Sequence, residues 1–164
     1  MNFSDFPFNK SILKAVAEER FQTPTLVQQQ AIPLVLEKKN VIVSAQTGTG
    51  KTAAFALPII QLLFDEQDAE KGEKKIKSLV VTPTRELAIQ ILENFKSFST
   101  YSNLRATAVF GGVSLQPQKE ILAKGIDILI ATPGRLIDLQ LQGNIDLSAV
   151  EIFVLDEADL MLDM

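Results

Sequence analysis

The sequence has 164 residues, 46% of them apolar and 22% charged, with a formal net charge of −4. That is enough chain and apolar content for one folded domain with a real core, and the negative charge argues against nucleic-acid binding through bulk charge. There is no cysteine and no histidine. This excludes disulfide frameworks, zinc–thiolate sites, histidine bases and histidine-held metals, so any metal has oxygen ligands, which favours magnesium. No apolar run reaches the length of a membrane span, and the N-terminus lacks the basic-then-apolar layout of a signal peptide. The expectation is a cytoplasmic protein with no membrane contact.

In chain order, Asn9 to Arg20 is amphipathic, with Ile12, Leu13, Val16 and Ala17 at helical spacing and Asn9 or Ser11 as cap. Pro24 pushes Thr23 away from helical angles. Thr25 then caps a second helix, with Gln28 in its first turn and Ala31, Ile32, Val35 and Leu36 as its apolar side. Lys38-Lys39-Asn40 turns into the apolar run Val41 to Val43, which reads as a buried strand. Thr52 to Phe64 is a largely apolar helix in which Pro58 predicts a kink or break. Asp65 to Lys77 is charged and reads as a surface loop or disordered spacer.

Four more apolar runs read as strands: Ser78–Thr82, Ala106–Phe110, Asp127–Ala131 and Ile152–Leu155. Helical stretches separate them. The first starts at Thr84 with Leu87, Ala88, Ile91, Leu92 and Phe95 facing inward. The second is capped by Ser114, with Pro117 in its first turn. The third is a short one carrying Leu136, Ile137 and Leu139 or Leu141. Five short strands alternating with helices predict an α/β fold with a parallel sheet covered by helices on both faces. In such sheets ligands bind at the C-terminal edge, which puts Lys51, Arg85, Gly112, Arg135 and Asp156 along one rim.

Two stretches at that rim carry chemistry. Ala45-Gln46-Thr47-Gly48-Thr49-Gly50-Lys51-Thr52 has the strand, glycine turn and Lys-Thr helix start of a phosphate-binding loop. Gly48 and Gly50 let backbone N–H groups curl around phosphate oxygens, Lys51 adds charge, and the Thr52 hydroxyl suits magnesium. Ala45 departs from the usual first glycine, and a plain glycine turn is the alternative. The second stretch, Asp156-Glu157-Ala158-Asp159, ends the last strand. Helix capping accounts for one acid there. A magnesium reached from Asp156 through water, with Glu157 orienting and deprotonating an attacking water, accounts for more, and phosphoryl transfer needs little beyond such positioning.

Here the sequence also resembles a family. Asp156–Asp159 spells the signature of the DEAD-box RNA helicases, and Ala45–Thr52 is similar to their phosphate loop, in which a leading alanine is usual. Arg20–Gln28 resembles their adenine-reading Q motif, with Phe3 at the position of an upstream aromatic. Arg20 there replaces a usual glycine and Leu26 a usual proline, which predicts local changes in turn geometry. Pro83–Ala88, Gly111-Gly112 and Thr132–Arg135 resemble their RNA-contacting motifs. The resemblance covers almost the whole chain.

It implies a RecA-like domain that binds ATP with Mg2+ and works on RNA. Phe3, Phe21, Thr23 and Gln28 would hold the adenine side, and residues Ala45 through Thr52 the phosphates. Lys51, Asp156 and Glu157 would be catalytic, and Thr52 and Asp156 would serve the metal. RNA sugar-phosphate would lie on Pro83, Thr84, Arg85, Gly111, Gly112, Thr132, Pro133, Gly134 and Arg135, with little sequence preference. Taken singly, Gln28 also reads as a solvated helix residue, Arg85-Glu86 as an ion pair and Thr132–Gly134 as a turn.

The expected layout is a Q-motif region over residues 1–37 and a RecA-like core over 38–164, within one domain. The family's second RecA-like domain, with the arginines that complete the ATP site, is absent from this stretch. Such groups are typically worth about 10³–10⁵ in rate, so this chain alone is expected to be nearly inactive. The family's Ser-Ala-Thr motif is also absent. The strand leading to it lies between the phosphate-loop and acidic-motif strands, so the sheet is expected to be incomplete at the C-terminus, with exposed edges that another copy could fill. The reading is an ATP-dependent RNA helicase. The alternatives are a nucleotide-gated binding module without strand separation and a DNA translocase on the same core.

Overall fold

The computed structural model describes residues 1–46, 48–67 and 73–162. They form two compact units, one of Met1–Lys71 with Asn94–Asn103, the other of Gly72–Glu93 with Leu104–Met164.

The first unit is helical. A 3-10 turn at Phe3–Asp5 leads to α1 (Lys10–Glu18), α2 (Leu26–Leu36) and α3 (Lys51–Gln67). Asn9 caps α1, its side chain accepting from Ile12 N at 2.9 Å. Helix α1 buries Ile12, Ala15 and Val16; Ala17, expected on that face, is exposed. Helix α1 ends in a Schellman turn. Phe21 N donates to Val16 O and Arg20 N to Ala17 O, with Arg20 at φ 62. The left-handed position after a helix favours glycine, which explains the turn chemistry that Arg20 must accommodate. Leu26 opens α2 at the first helical position, the one where proline is favoured.

Helix α2 packs on α3, the most buried helix, where Ala56, Leu57, Ile59 and Ile60 are inaccessible. Helix α3 runs unbroken through Pro58 and extends to Gln67. Burial of the residues around Pro58 outweighs the lost hydrogen bond. Positions 65–67, expected in a loop, are therefore helical; 68–72 lie outside the described residues.

The expected strand at Val41–Val43 does not form. Those residues take part in no ladder, and Ile42 is fully exposed. An apolar run makes a strand only where a neighbour supplies hydrogen-bond partners, and the described sheet offers it none.

The second unit is the sheet: β1 (Ser78–Val81), β2 (Ala106–Val109), β3 (Ile128–Ala131) and β4 (Ile152–Leu155), all parallel in the order β2-β3-β1-β4. Between them run α4 (Arg85–Phe98, whose last turns belong to the first unit), α5 (Leu115–Ala123) and α6 (Pro133–Leu141), and α7 (Ala158–Leu162) follows β4. Strands β1 and β3 are buried along their whole length, as expected for a sheet covered on both faces. Leu79, Val81, Val109, Leu129 and Ala131 share one core with Ile76, Ile126 and Leu139 of α6. Strand β4 is an edge, with Phe153 at 55% and Leu155 at 53% exposure. The expectation of exposed apolar edges is met there, and the described residues form four strands rather than five.

Candidate functional site

The phosphate-loop segment belongs to the first unit. Gly48 and Gly50 take φ values of 85° and 80°, a conformation costly to any residue with a Cβ. Lys51 and Thr52 open α3, so the loop meets a 17-residue helix at its N-terminus, where free N–H groups and the helix dipole favour an anion. The loop is gripped from α2. Thr25 Oγ1 donates to Thr49 O at 2.8 Å, and Gln28 Nε2 donates to Gly50 O at 3.2 Å. Thr49 Oγ1 closes the turn on Gln46 O at 2.7 Å. A Cβ at Gly50 would sit 2.3 Å from Gln28 Nε2, so a side chain there would displace the Gln28 amide as well as hold a costly angle.

Gln28 is 1% exposed. Its Oε1 accepts from Thr25 N at 2.9 Å, while Thr25 Oγ1 accepts from Gln28 N, the reciprocal pair of a capping box. Expected to face an adenine, Gln28 here joins the α2 cap to the loop and keeps one amide hydrogen to spare. The T-x-x-Q spacing of Thr25 and Gln28 is the signal in the sequence that points to that box.

Phe21 is 38% exposed and lies between Phe3 and Phe98, with ring centroids at 6.2 and 5.7 Å. Phe3 is buried and supports that ring, and Thr23 is exposed. Ala45 is half-buried and Gln46 exposed; Thr47 lies outside the described residues.

The second unit gathers the other candidate residues at the C-terminal ends of its four strands. Pro83, Thr84 and Arg85 follow β1; Thr84 caps α4, its hydroxyl accepting from Leu87 N at 3.2 Å, and Arg85 is exposed. Gly111 and Gly112 follow β2, exposed, with Gly112 at φ 79. Thr132 to Arg135 follow β3; Thr132 is buried and stands as N-cap, and Pro133 takes the first position of α6. Thr132-Pro133-Gly134 is thus a helix start rather than a free turn. The rim expectation holds for Arg85, Gly112, Arg135 and Asp156, while Lys51 follows no paired strand.

At the end of β4, Asp156 N donates to Val81 O at 2.9 Å, and Asp156 Oδ2 accepts from the buried Thr82 hydroxyl at 3.2 Å. Glu157 sits at φ 55, a left-handed angle that costs a side-chain-bearing residue of order 1 kcal/mol or more and that functional sites retain. The sequence marks Thr82 only as a strand end; its role follows from the β1–β4 pairing. No group of three or more acids able to hold a cation occurs among the described residues.

Residues 25–164 match the family model of the DEAD/DEAH box helicases. The chain belongs to this family. It is 45% identical over 99% of its length to the ATP-dependent RNA helicase DBP2 of Encephalitozoon cuniculi, covering 32% of that protein. It is 43% identical over 99% of its length to the ATP-dependent RNA helicase RhlB of Shewanella piezotolerans, covering 37% of it. A crystal structure of a hypothetical ATP-dependent RNA helicase from Sulfolobus tokodaii superposes with a TM-score of 0.85 at 44% identity, over 96% of this chain and 44% of that one. The chain spans about a third of the length of the curated relatives it matches. As a DEAD/DEAH box chain with this neighbour it has the α/β, RecA-like fold, and its Asp156–Asp159 is the stretch that names the family. No helix among the described residues is long and apolar enough to cross a membrane.

Proposed function

We propose that the protein carrying this chain is an ATP-dependent RNA helicase of the cytoplasm, and that this chain supplies its ATP-binding RecA-like part. Family membership over residues 25–164 carries the reading, because that span holds both the glycine loop and the acidic quartet. The residues suit ATP: two left-handed glycines before a long helix form a cradle for phosphates, and a Cβ at Gly50 would push on the Gln28 amide that holds it. In this reading residues 45–52 hold the phosphates, Phe3, Phe21, Thr23 and Gln28 hold the adenine side, and Lys51 neutralises charge on the terminal phosphate. Magnesium would arrive with the nucleotide, held by Thr52 and by Asp156 through water, and it would stabilise charge on the transferred phosphoryl group.

Thr82 orients Asp156, and Glu157 is the base that orients and deprotonates the attacking water. RNA sugar-phosphate lies on Pro83, Thr84, Arg85, Gly111, Gly112, Thr132, Pro133, Gly134 and Arg135, positioned without base reading. A second RecA-like domain would complete the ATP site and close on both ligands. The domain layout, a Q-motif region over 1–37 joined to a core over 38–164, is part of the same proposal.

The test is ATP hydrolysis by the protein carrying this chain, with and without single-stranded RNA. Hydrolysis that RNA stimulates, and that Glu157→Gln removes, supports the reading. ATP-dependent RNA binding with no turnover would favour a nucleotide-gated module, and stimulation by DNA in place of RNA a translocase.

A further inference from the structure

We infer that Gln118 is a positioning residue of the strand-end surface, acting through Arg135 on the glycine pair; this rests on the proposal that the surface binds RNA. Gln118 lies on α5, outside every stretch so far given a role, and is 8% exposed. Its Oε1 accepts from Arg135 Nη1 at 2.9 Å, and its Nε2 donates to Phe110 O at 3.1 Å. Arg135 Nη2 in turn donates to Val113 O at 3.0 Å. Residues 110 to 113 are therefore held at both ends, Phe110 by Gln118 and Val113 by Arg135, with Gly111 and Gly112 between.

The chemistry admits few substitutes. The amide cannot be reversed, because that would set its N–H against the guanidinium and its oxygen against a carbonyl. Glutamate would keep Arg135 and lose Phe110; leucine would lose both. The segment needs such a brace. A Cβ added at Gly111 would meet nothing within 4 Å, and Gly112 sits at φ 79, so neither residue restrains the backbone itself. A backbone that must offer N–H groups to a sugar-phosphate chain binds better when it is already ordered. Arg135 is thereby a brace as well as a candidate contact, with donors beyond the two it spends on the protein.

The test is the affinity of the protein carrying this chain for a single-stranded oligoribonucleotide, measured at several salt concentrations. The variants are Gln118→Leu, Gln118→Glu, Arg135→Met, Gln118→Leu with Arg135→Met, and Arg85→Ala, each with its melting temperature. Gln118→Leu should weaken binding roughly three- to tenfold, with Gln118→Glu between it and wild type. In the Arg135→Met background Gln118→Leu should cost little more, since the two act as one unit. Wild-type affinity in Gln118→Leu, or additive losses in the double variant, would overturn the inference. If Gln118→Leu also lowers the melting temperature, the ordering of Gln118→Glu decides: binding no better than in the leucine variant counts against it. Arg85→Ala tests the underlying reading separately. It should weaken binding and flatten the salt slope by about 0.7, and unchanged binding there would sink the RNA surface itself.

Discussion

Two glycine loops in this chain are held in place by different means. The Gly48–Gly50 loop leaves no paired strand and enters a long helix; it is held from outside by Thr25 and Gln28, each donating to one of its carbonyls. The Gly111-Gly112 loop leaves a paired strand and is held by Gln118 and Arg135 at its ends. In both, glycine frees the backbone and a glutamine amide donates to a loop carbonyl: Phe110 O in one loop, and in the other Gly50 O, which also accepts from Ala54 N of α3. The difference lies in the glycines. Gly50 is fitted against its brace, whereas Gly111 faces open space.

The largest expected effect is at Lys51. Lys51→Ala would remove the proposed charge-assisted contact to the terminal phosphate, so ATP binding should weaken roughly 10–100-fold by calorimetry while RNA affinity of the nucleotide-free protein stays within about twofold. The glycine contrast comes next. Gly50→Ala, at φ 80 and in collision with Gln28, should cost about 1–3 kcal/mol in denaturant unfolding and blunt nucleotide binding; Gly111→Ala should stay within about 0.5 kcal/mol. Thr25→Ala removes both a helix cap and a loop clamp and should cost about 1 kcal/mol, with a matching loss of nucleotide affinity. The smallest effect is a gain: Arg20→Gly, relieving a left-handed arginine after α1, should stabilise by about 0.5–1 kcal/mol and leave nucleotide affinity unchanged.

Strands β1 to β4 were legible because short, largely apolar runs rich in β-branched residues suit a parallel sheet, of which β1 and β3 are buried throughout and β4 is an exposed edge. The same signal at Val41–Val43 predicts a strand that does not form, because periodicity reports a wish for burial and says nothing of a pairing partner. The caps at Asn9 and Thr25 were legible from residue type and spacing. Arg20 was legible as an oddity, and its left-handed angle gives the reason. The loop and the acidic quartet were legible as motifs, yet their supports were not. Thr82 meets Asp156 only through the β1–β4 register, and Gln118 meets Arg135 across 17 residues of chain. Gln28 lay between the two cases: its capping-box spacing was readable, but its bond to Gly50 O joins residues 22 apart.

In the proposed function, residues 45–52, braced by Gln28, form an adenine-nucleotide cradle. Calorimetry with ADP and with GDP, in magnesium, on wild type and Gln28→Ala tests it most directly. ADP should bind and should bind more weakly in Gln28→Ala, with GDP silent. Equal binding of ADP and GDP, or ADP binding indifferent to the loss of Gln28, would contradict it.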